Sequence, residues 1–153
     1  MQFATTRFGT IDVPPEEVIE FPAGLPGFEE ARRFVTIEDP AAAPFIWLQS
    51  LERPELAFLT ICPLLFVPDY APEVSDEARQ ALRWTDDAEI EVLAIVTVPD
   101  DPRLMTANLR APVLVNRRAR LGRQEVGAQG KYPLRYRLLP DGGATRDKAA
   151  AGR

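Results

Sequence analysis

A chain of 153 residues with 46% hydrophobic side chains is the size of one ordinary domain, long enough to bury a core without cross-links. Its single cysteine excludes an internal disulfide, its lack of histidine removes the commonest general base and metal ligand, and no run approaches the ~18 apolar residues of a membrane span. The net charge of −5 conceals two opposite parts: residues 1–115 carry 20 acids against 8 bases, and residues 116–153 carry 10 bases against 3 acids.

The opening residues lack the basic-then-apolar layout of a signal peptide, so a soluble protein of the cytoplasm is expected. Fifteen prolines, about twice the usual frequency, are spread along the chain and exclude long helices almost everywhere. Residues 2–8 and 18–21 read as two half-buried or edge strands. Then Phe21, Pro22, Gly24, Pro26, Gly27 and Phe28 mark a loop stiffened by prolines and bent by glycines, leading into a short helical patch over 29–33. Residues 34–37 form the next strand. Residues 45–51 are apolar on both faces apart from Gln49 and Ser50, as in a covered sheet, and residues 56–61 return after Arg53-Pro54-Glu55 to complete a hairpin. Cys62 closes that apolar run and reads as a buried, inert thiol.

Residues 75–83 are the one convincing helix: Ser75 is a good N-cap, Asp76 and Glu77 follow at the positive end of the dipole, and Ala78, Ala81 and Leu82 make an apolar stripe. It predicts a short lid on a β core. The strand over 89–98 enters from solvent at Glu89 and Glu91 and ends under cover at Leu93 and Ile95. Brief strands follow at 105–109 and 112–116. A last strand over 133–139 places Leu134, Tyr136 and Leu138 inward. Residues 141–153 are glycine, alanine and charge, the composition of a disordered tail, so the domain is expected to span 1–140. Many short strands and one lid do not alternate as βαβ units, and the predicted class is all-β: an antiparallel β pseudo-barrel with one or two short helices.

Little in this chain carries chemistry. A Ser-His-Asp or Cys-His nucleophile is impossible without histidine, a zinc site lacks ligands, and no phosphate-cradling glycine motif occurs. No cofactor, metal or catalytic residue is therefore expected. The adjacent pairs Asp86-Asp87 and Asp100-Asp101 read as solvated loop acids, with no group to perturb them. Gln49, Asn108 and Asn116 are amides in apolar strands and must be hydrogen-bonded to be tolerated there, most economically to loop backbone. Residues 65–101 carry ten acids against Arg79 and Arg83, a polarity that fits either a surface for a basic partner or a solvated face that aids solubility. The arginine-rich segment 117–123, with Lys131, Arg135 and Arg137, lacks outward aromatics for reading single strands. An internal complement to the acidic half accounts for it better than RNA binding, which stands as the alternative reading.

Several motifs in fixed order resemble one family. They are Phe21-Pro22 before Gly24-Leu25-Pro26-Gly27-Phe28, Leu48-Gln49-Ser50 before Pro54, Ala57 and Phe58, Pro68-Asp69-Tyr70, and Thr106-Ala107-Asn108-Leu109-Arg110-Ala111-Pro112-Val113 closing with Asn116. Together they are similar to the FliW flagellar assembly factors, from residue 8 to about residue 139. The chain departs from the family pattern over 117–123 and beyond 141. The resemblance implies an antiparallel β pseudo-barrel and two protein partners, with neither membrane nor direct nucleic acid. One is flagellin, bound in the cytoplasm; the other is the translational regulator CsrA, which represses flagellin mRNA and is taken up when flagellin is scarce. On that footing the acidic stretch, with Asp69, Asp86, Asp87, Glu89 and Glu91, is the expected contact for a basic regulator. A groove rimmed by Phe28, Phe66, Tyr70 and Leu109 is expected for an apolar flagellin segment, although each of the four is also a natural core residue.

Overall fold

The computed structural model describes residues 1–127 and 131–139. Alternation of apolar and polar residues gives short strands, and frequent proline and glycine end them. Among the described residues these are β1 (Gln2–Thr5), β2 (Gly9–Asp12), β3 (Ile19–Glu20), β4 (Arg33–Glu38), β5 (Ile46–Ser50), β6 (Ala57–Ile61), β7 (Ile90–Thr97), β8 (Thr106–Ala107), β9 (Val113–Asn116), β10 (Leu121–Gln124) and β11 (Tyr136–Arg137), with one α-helix, α1 (Asp76–Ala81). Strands β7, β6, β5, β4, β3, β10 and β9 pair in that order, and β9 pairs back onto β7 to close a barrel. All neighbours are antiparallel except β3 and β10, which meet in parallel through Glu20 and Leu121. The all-β expectation holds, with that one parallel join added. Closure leaves no free edge in the ring, which removes the edge-strand problem there.

Side chains alternate across each strand, so one set fills the barrel: Ile19, Phe21, Leu25, Phe34, Leu48, Leu93, Val113 and Val115 are buried together. Phe21 and Phe34 meet edge to face at 5.1 Å. Strand β7 is covered on its other side too, where Ala94 and Val96 join Ile61, Tyr70, Ala107, Leu109 and Leu138 under β8 and β11. A third cluster of Val13, Val35 and Leu51 lies beneath the β1–β2 hairpin with Phe3 and Ile11.

Five local expectations change. Residues 29–33 are a turn and the start of β4, not a helix. The Glu52 carboxylate accepts from the N–H groups of Arg32 at 2.6 Å and Arg33 at 3.1 Å, holding the chain against β5. The first strand stops at Thr5, whose hydroxyl donates to the Gly9 carbonyl at 2.7 Å and accepts from Phe8 N–H at 2.8 Å. Gly9 at φ 69° turns the chain into β2. Strand β10 arises inside the arginine-rich segment, where Gly122 lies against the Phe21 ring so closely that an added Cβ would sit 2.3 Å from its nearest carbon. The last strand shrinks to Tyr136–Arg137, with Leu134 turned out at 48% exposure. Cys62 is half-buried, because the chain leaves the sheet there through the turn Pro63–Leu65. Residue 140 and the tail anticipated over 141–153 lie outside the described residues.

Helix α1 forms as expected. The Ser75 hydroxyl accepts from Ala78 N–H at 3.1 Å, and Ala78 and Leu82 are buried against the barrel. Glu125 of the chain leaving β10 accepts from Ser75 N–H at 2.8 Å, and Asn116 at the end of β9 donates to the carbonyls of Leu82 at 2.7 Å and Arg83 at 3.1 Å. The lid is thus held at both ends by the strand pair it covers.

Candidate functional site

One end of the barrel opens as an apolar groove of about 340 Å³. Its floor is Phe58 of β6 and Ile95 of β7. The loop after β3 contributes Leu25 and Pro26, and Ala111, Val126 and Leu134 complete the walls. Val126 is 67% exposed, and no charged side chain among the described residues lines the cavity. The Phe21–Phe28 loop is shaped to reach it: Gly24 at φ 67° lies against the backbone of Glu29, and Gly27 at φ 86° turns the chain so that Leu25 and Phe28 pair across it. Two amides face the same cavity, Asn108 and Gln124.

Of the four apolar residues anticipated at a rim, Phe28 comes nearest: its ring stands edge to face on Phe58 at 5.4 Å, with the Arg53 guanidinium 5.7 Å away. Tyr70 and Leu109 lie in the core beneath β8. The Tyr70 hydroxyl donates to the Leu109 carbonyl at 2.6 Å, and burial pushes its ionisation well above the usual phenol range. Phe66 packs half-buried on the same cluster. The exposed walls come from Val126, which nothing in the sequence marked, and from Leu134, which was expected to point inward. Val126 is a lone apolar residue in a polar stretch, and Leu134 fits an inward strand pattern as well as an outward one.

The acidic stretch does not form one uniform face. Asp86 and Asp87 are exposed, but Asp86 caps a turn by accepting from Ala88 N–H at 2.9 Å and Asp87 accepts from the Trp84 indole at 2.6 Å. Glu89 pairs with Arg118 at 3.3 Å, and Arg117 donates to the Ala88 carbonyl at 2.8 Å. Glu91 is half-buried; burial raises its carboxyl above the ordinary range, Arg117 and Arg120 partly offset this, and Glu38 adds to the rise. Asp69 is exposed in the loop before Tyr70. Farther on, Arg103 bonds Asp101 at 3.0 and 3.1 Å and holds that carboxyl below the usual range. The arginine-rich segment is used internally: Arg120 donates to the Glu17 carbonyl at 2.8 Å, and Arg123 approaches Glu77 at 3.6 Å and Glu125 at 3.8 Å.

All three amides bond backbone, although Asn108, expected in a strand, lies just past the end of β8 and is half-buried. Gln49 donates to the carbonyls of Ser50, Leu56 and Pro54 at 2.9, 3.1 and 3.3 Å. Asn108 accepts from Arg110 and Ala111, and Asn116 accepts from Arg118 and Ala119 at 3.0 Å each while donating to the lid. Pro112 is buried, and its carbonyl accepts from Glu125 N–H at 2.9 Å, stitching β9 to the chain beyond β10. Among the described residues, no three His, Cys, Asp or Glu side chains converge as a metal site would require, and no helix is long and apolar enough to cross a membrane.

The family model described as FliW protein matches residues 2–138. The flagellar assembly factor FliW of Bdellovibrio bacteriovorus is 45% identical over 135 residues, 88% of this chain and 77% of that protein. The factor of the same name from Moorella thermoacetica is 39% identical over 142 residues, covering 92% and 90% of the two chains. A crystal structure of the flagellar assembly factor FliW superposes with a TM-score of 0.86 at 33% identity, over 92% of this chain and 99% of that one.

Proposed function

The chain belongs to the FliW family of flagellar assembly factors, and from that premise we propose that it binds flagellin and, in exchange, the regulator CsrA, in the cytoplasm and without catalysis. The observation that carries the flagellin half is the uncharged groove at the barrel end, walled by Val126 and Leu134. Flagellin's terminal segments, apolar on one face once helical, suit such a groove. For CsrA, a basic RNA-binding protein, the exposed carboxylates of Asp69, Asp86 and Asp87, with Glu89 and Glu91 beside them, offer attraction of the right sign. The internal pairing of Glu89 with Arg118 narrows that contact toward Asp86 and Asp87. No observation favours RNA as the partner, because Arg117, Arg118, Arg120 and Arg123 are engaged with this chain's own carbonyls and carboxylates.

Calorimetric titration with the host's flagellin and, separately, its CsrA tests the reading. One-to-one binding of each and displacement of one by the other are expected, with flagellin binding lost in Val126→Asp. Silence from both partners would reject it, and flagellin binding that survives Val126→Asp would move flagellin to another surface.

A further inference from the structure

Of the large apolar side chains that stand exposed among the described residues, only Leu64 and Leu65 are consecutive, at 45% and 58% exposure. The turn that carries them is fixed. Pro63 is buried, and its carbonyl accepts from Phe66 N–H at 3.0 Å and Val67 N–H at 2.9 Å, while the Cys62 carbonyl accepts from Leu65 N–H at 3.2 Å. Behind the turn, Phe66 and Val67 pack on the cluster that holds Ile61 and Tyr70. Scattered exposed apolar residues need no explanation, but an adjoining pair on a fixed backbone offers a partner apolar contact with little left to order.

The turn lies beside the acids. Strand β6 runs antiparallel to β7 with Ile61 opposite Ala94, so the chain leaving β6 travels toward the start of β7, and the turn stays within 8 Å of that strand, Cα to Cα. That start is Ile90 and Glu91, and the turn Asp87–Glu89 leads directly into it. Asp86 and Asp87 are bonded to neutral donors, Ala88 N–H and the Trp84 indole, so they are positioned without being neutralised. Asp69, shortly after the leucines, is exposed. The arginines at this end are already engaged, Arg117 on the Ala88 carbonyl and Arg118 on Glu89. Carboxylates around an apolar pair select the partner by charge. They repel an anionic membrane surface, which exposed leucines would otherwise suit, and a second copy of this same face, and they attract a protein surface that is basic around an apolar centre.

We infer that Leu64 and Leu65 are the apolar anchor of the acidic docking surface, seated against an apolar patch that the basic partner carries among its cations. This rests on the reading of CsrA as that partner. The two kinds of contact act on different rates: carboxylates draw the partner in and orient it, and the leucines hold it once water has been excluded from them.

Stopped-flow association and dissociation of the full-length protein with the host's CsrA separate the two. Leu64→Ser with Leu65→Ser should weaken CsrA by at least about tenfold through faster dissociation, with the association rate and its salt dependence unchanged within about twofold. Flagellin affinity should stay as in the wild type, because neither leucine lines the groove, and it reports at the same time that the double variant is folded. Leu65→Gln, at the more exposed position, should show the same division at smaller size and serves where the double variant does not fold. Leu104→Ser, at a leucine 46% exposed on the turn after β7, should leave CsrA unaffected. Unchanged dissociation in the leucine variants, with the wild type binding CsrA, rejects the anchor alone. A loss confined to association, or an equal loss in Leu104→Ser, would also overturn it. A wild-type protein that does not bind CsrA would reject the partner and the anchor with it.

Discussion

Asn116, 2% exposed, uses both amide hydrogens on the carbonyls of Leu82 and Arg83 and both oxygen lone pairs on the N–H groups of Arg118 and Ala119. It is the joint between lid and barrel. Asn116→Ala would orphan several buried backbone groups, and a loss of about 2–4 kcal/mol is expected in urea unfolding. Gly24 and Gly27 separate space from conformation. Both have positive φ, but a Cβ on Gly24 would sit 2.6 Å from the Glu29 backbone while one on Gly27 meets nothing. Gly27→Ala should cost about 1–2 kcal/mol, and Gly24→Ala more than about 3 kcal/mol. Glu91 supplies a test of sign. Burial, only partly offset by Arg117, raises its folded pKa, so the stability it contributes is present below its ordinary value of 4.5 and is lost as pH rises through the folded value. Glu91→Gln should therefore raise the melting temperature at pH 7, and the gain should fade as the pH falls below that ordinary value.

At the scale of elements, helix α1 shows which signals are local. Six residues do not hold a helix in water by themselves, and the N-cap, the first-turn acids and the apolar stripe mark where one forms once a surface receives it. Ser75→Ala should cost about 1 kcal/mol in thermal unfolding, the usual value of an N-cap. Those cap signals sit within a few residues of one another, so the lid was legible from the sequence. Strand β10 was not. Leu121, Gly122, Arg123 and Gln124 have no apolar alternation, and they are extended because β9 and β3 flank them and the Phe21 ring occupies the space above Gly122. The turn at 29–33 was misread for a related reason. Glu29, Glu30, Ala31 and Arg32 have good helix propensity, yet the distant Glu52 carboxylate takes the N–H groups a helix would have used differently.

Across the whole molecule, the groove is built from residues spread between Leu25 and Leu134, whereas the Asp86–Glu91 acids follow one another along the chain. The two candidate surfaces should therefore respond differently to charge and salt. Asp86→Lys with Asp87→Lys should weaken CsrA more than flagellin, and the CsrA association rate should fall steeply with ionic strength in stopped-flow measurements while the flagellin rate changes little. Equal loss of both partners would mean one shared surface.

The sequence by itself determined the class of the molecule. Proline spacing, short alternating runs and a single capped helix are local properties that admit a closed β architecture and little else, and the ordered motifs placed it in its family. The need of Gln49 and Asn116 for hydrogen bonds was equally plain, since a buried amide calls for partners wherever it lies, although the buried Gln49 Oε1 has none among the described residues. Only the tertiary structure decided that Glu89 is already paired with Arg118, 29 residues away, that Tyr70 and Leu109 face the core, and that Val126 and Leu134 wall a groove. Period-two patterning says that a side chain has two possible faces. Which face is solvent depends on where the barrel closes, and that is settled by pairings between residues far apart in the chain.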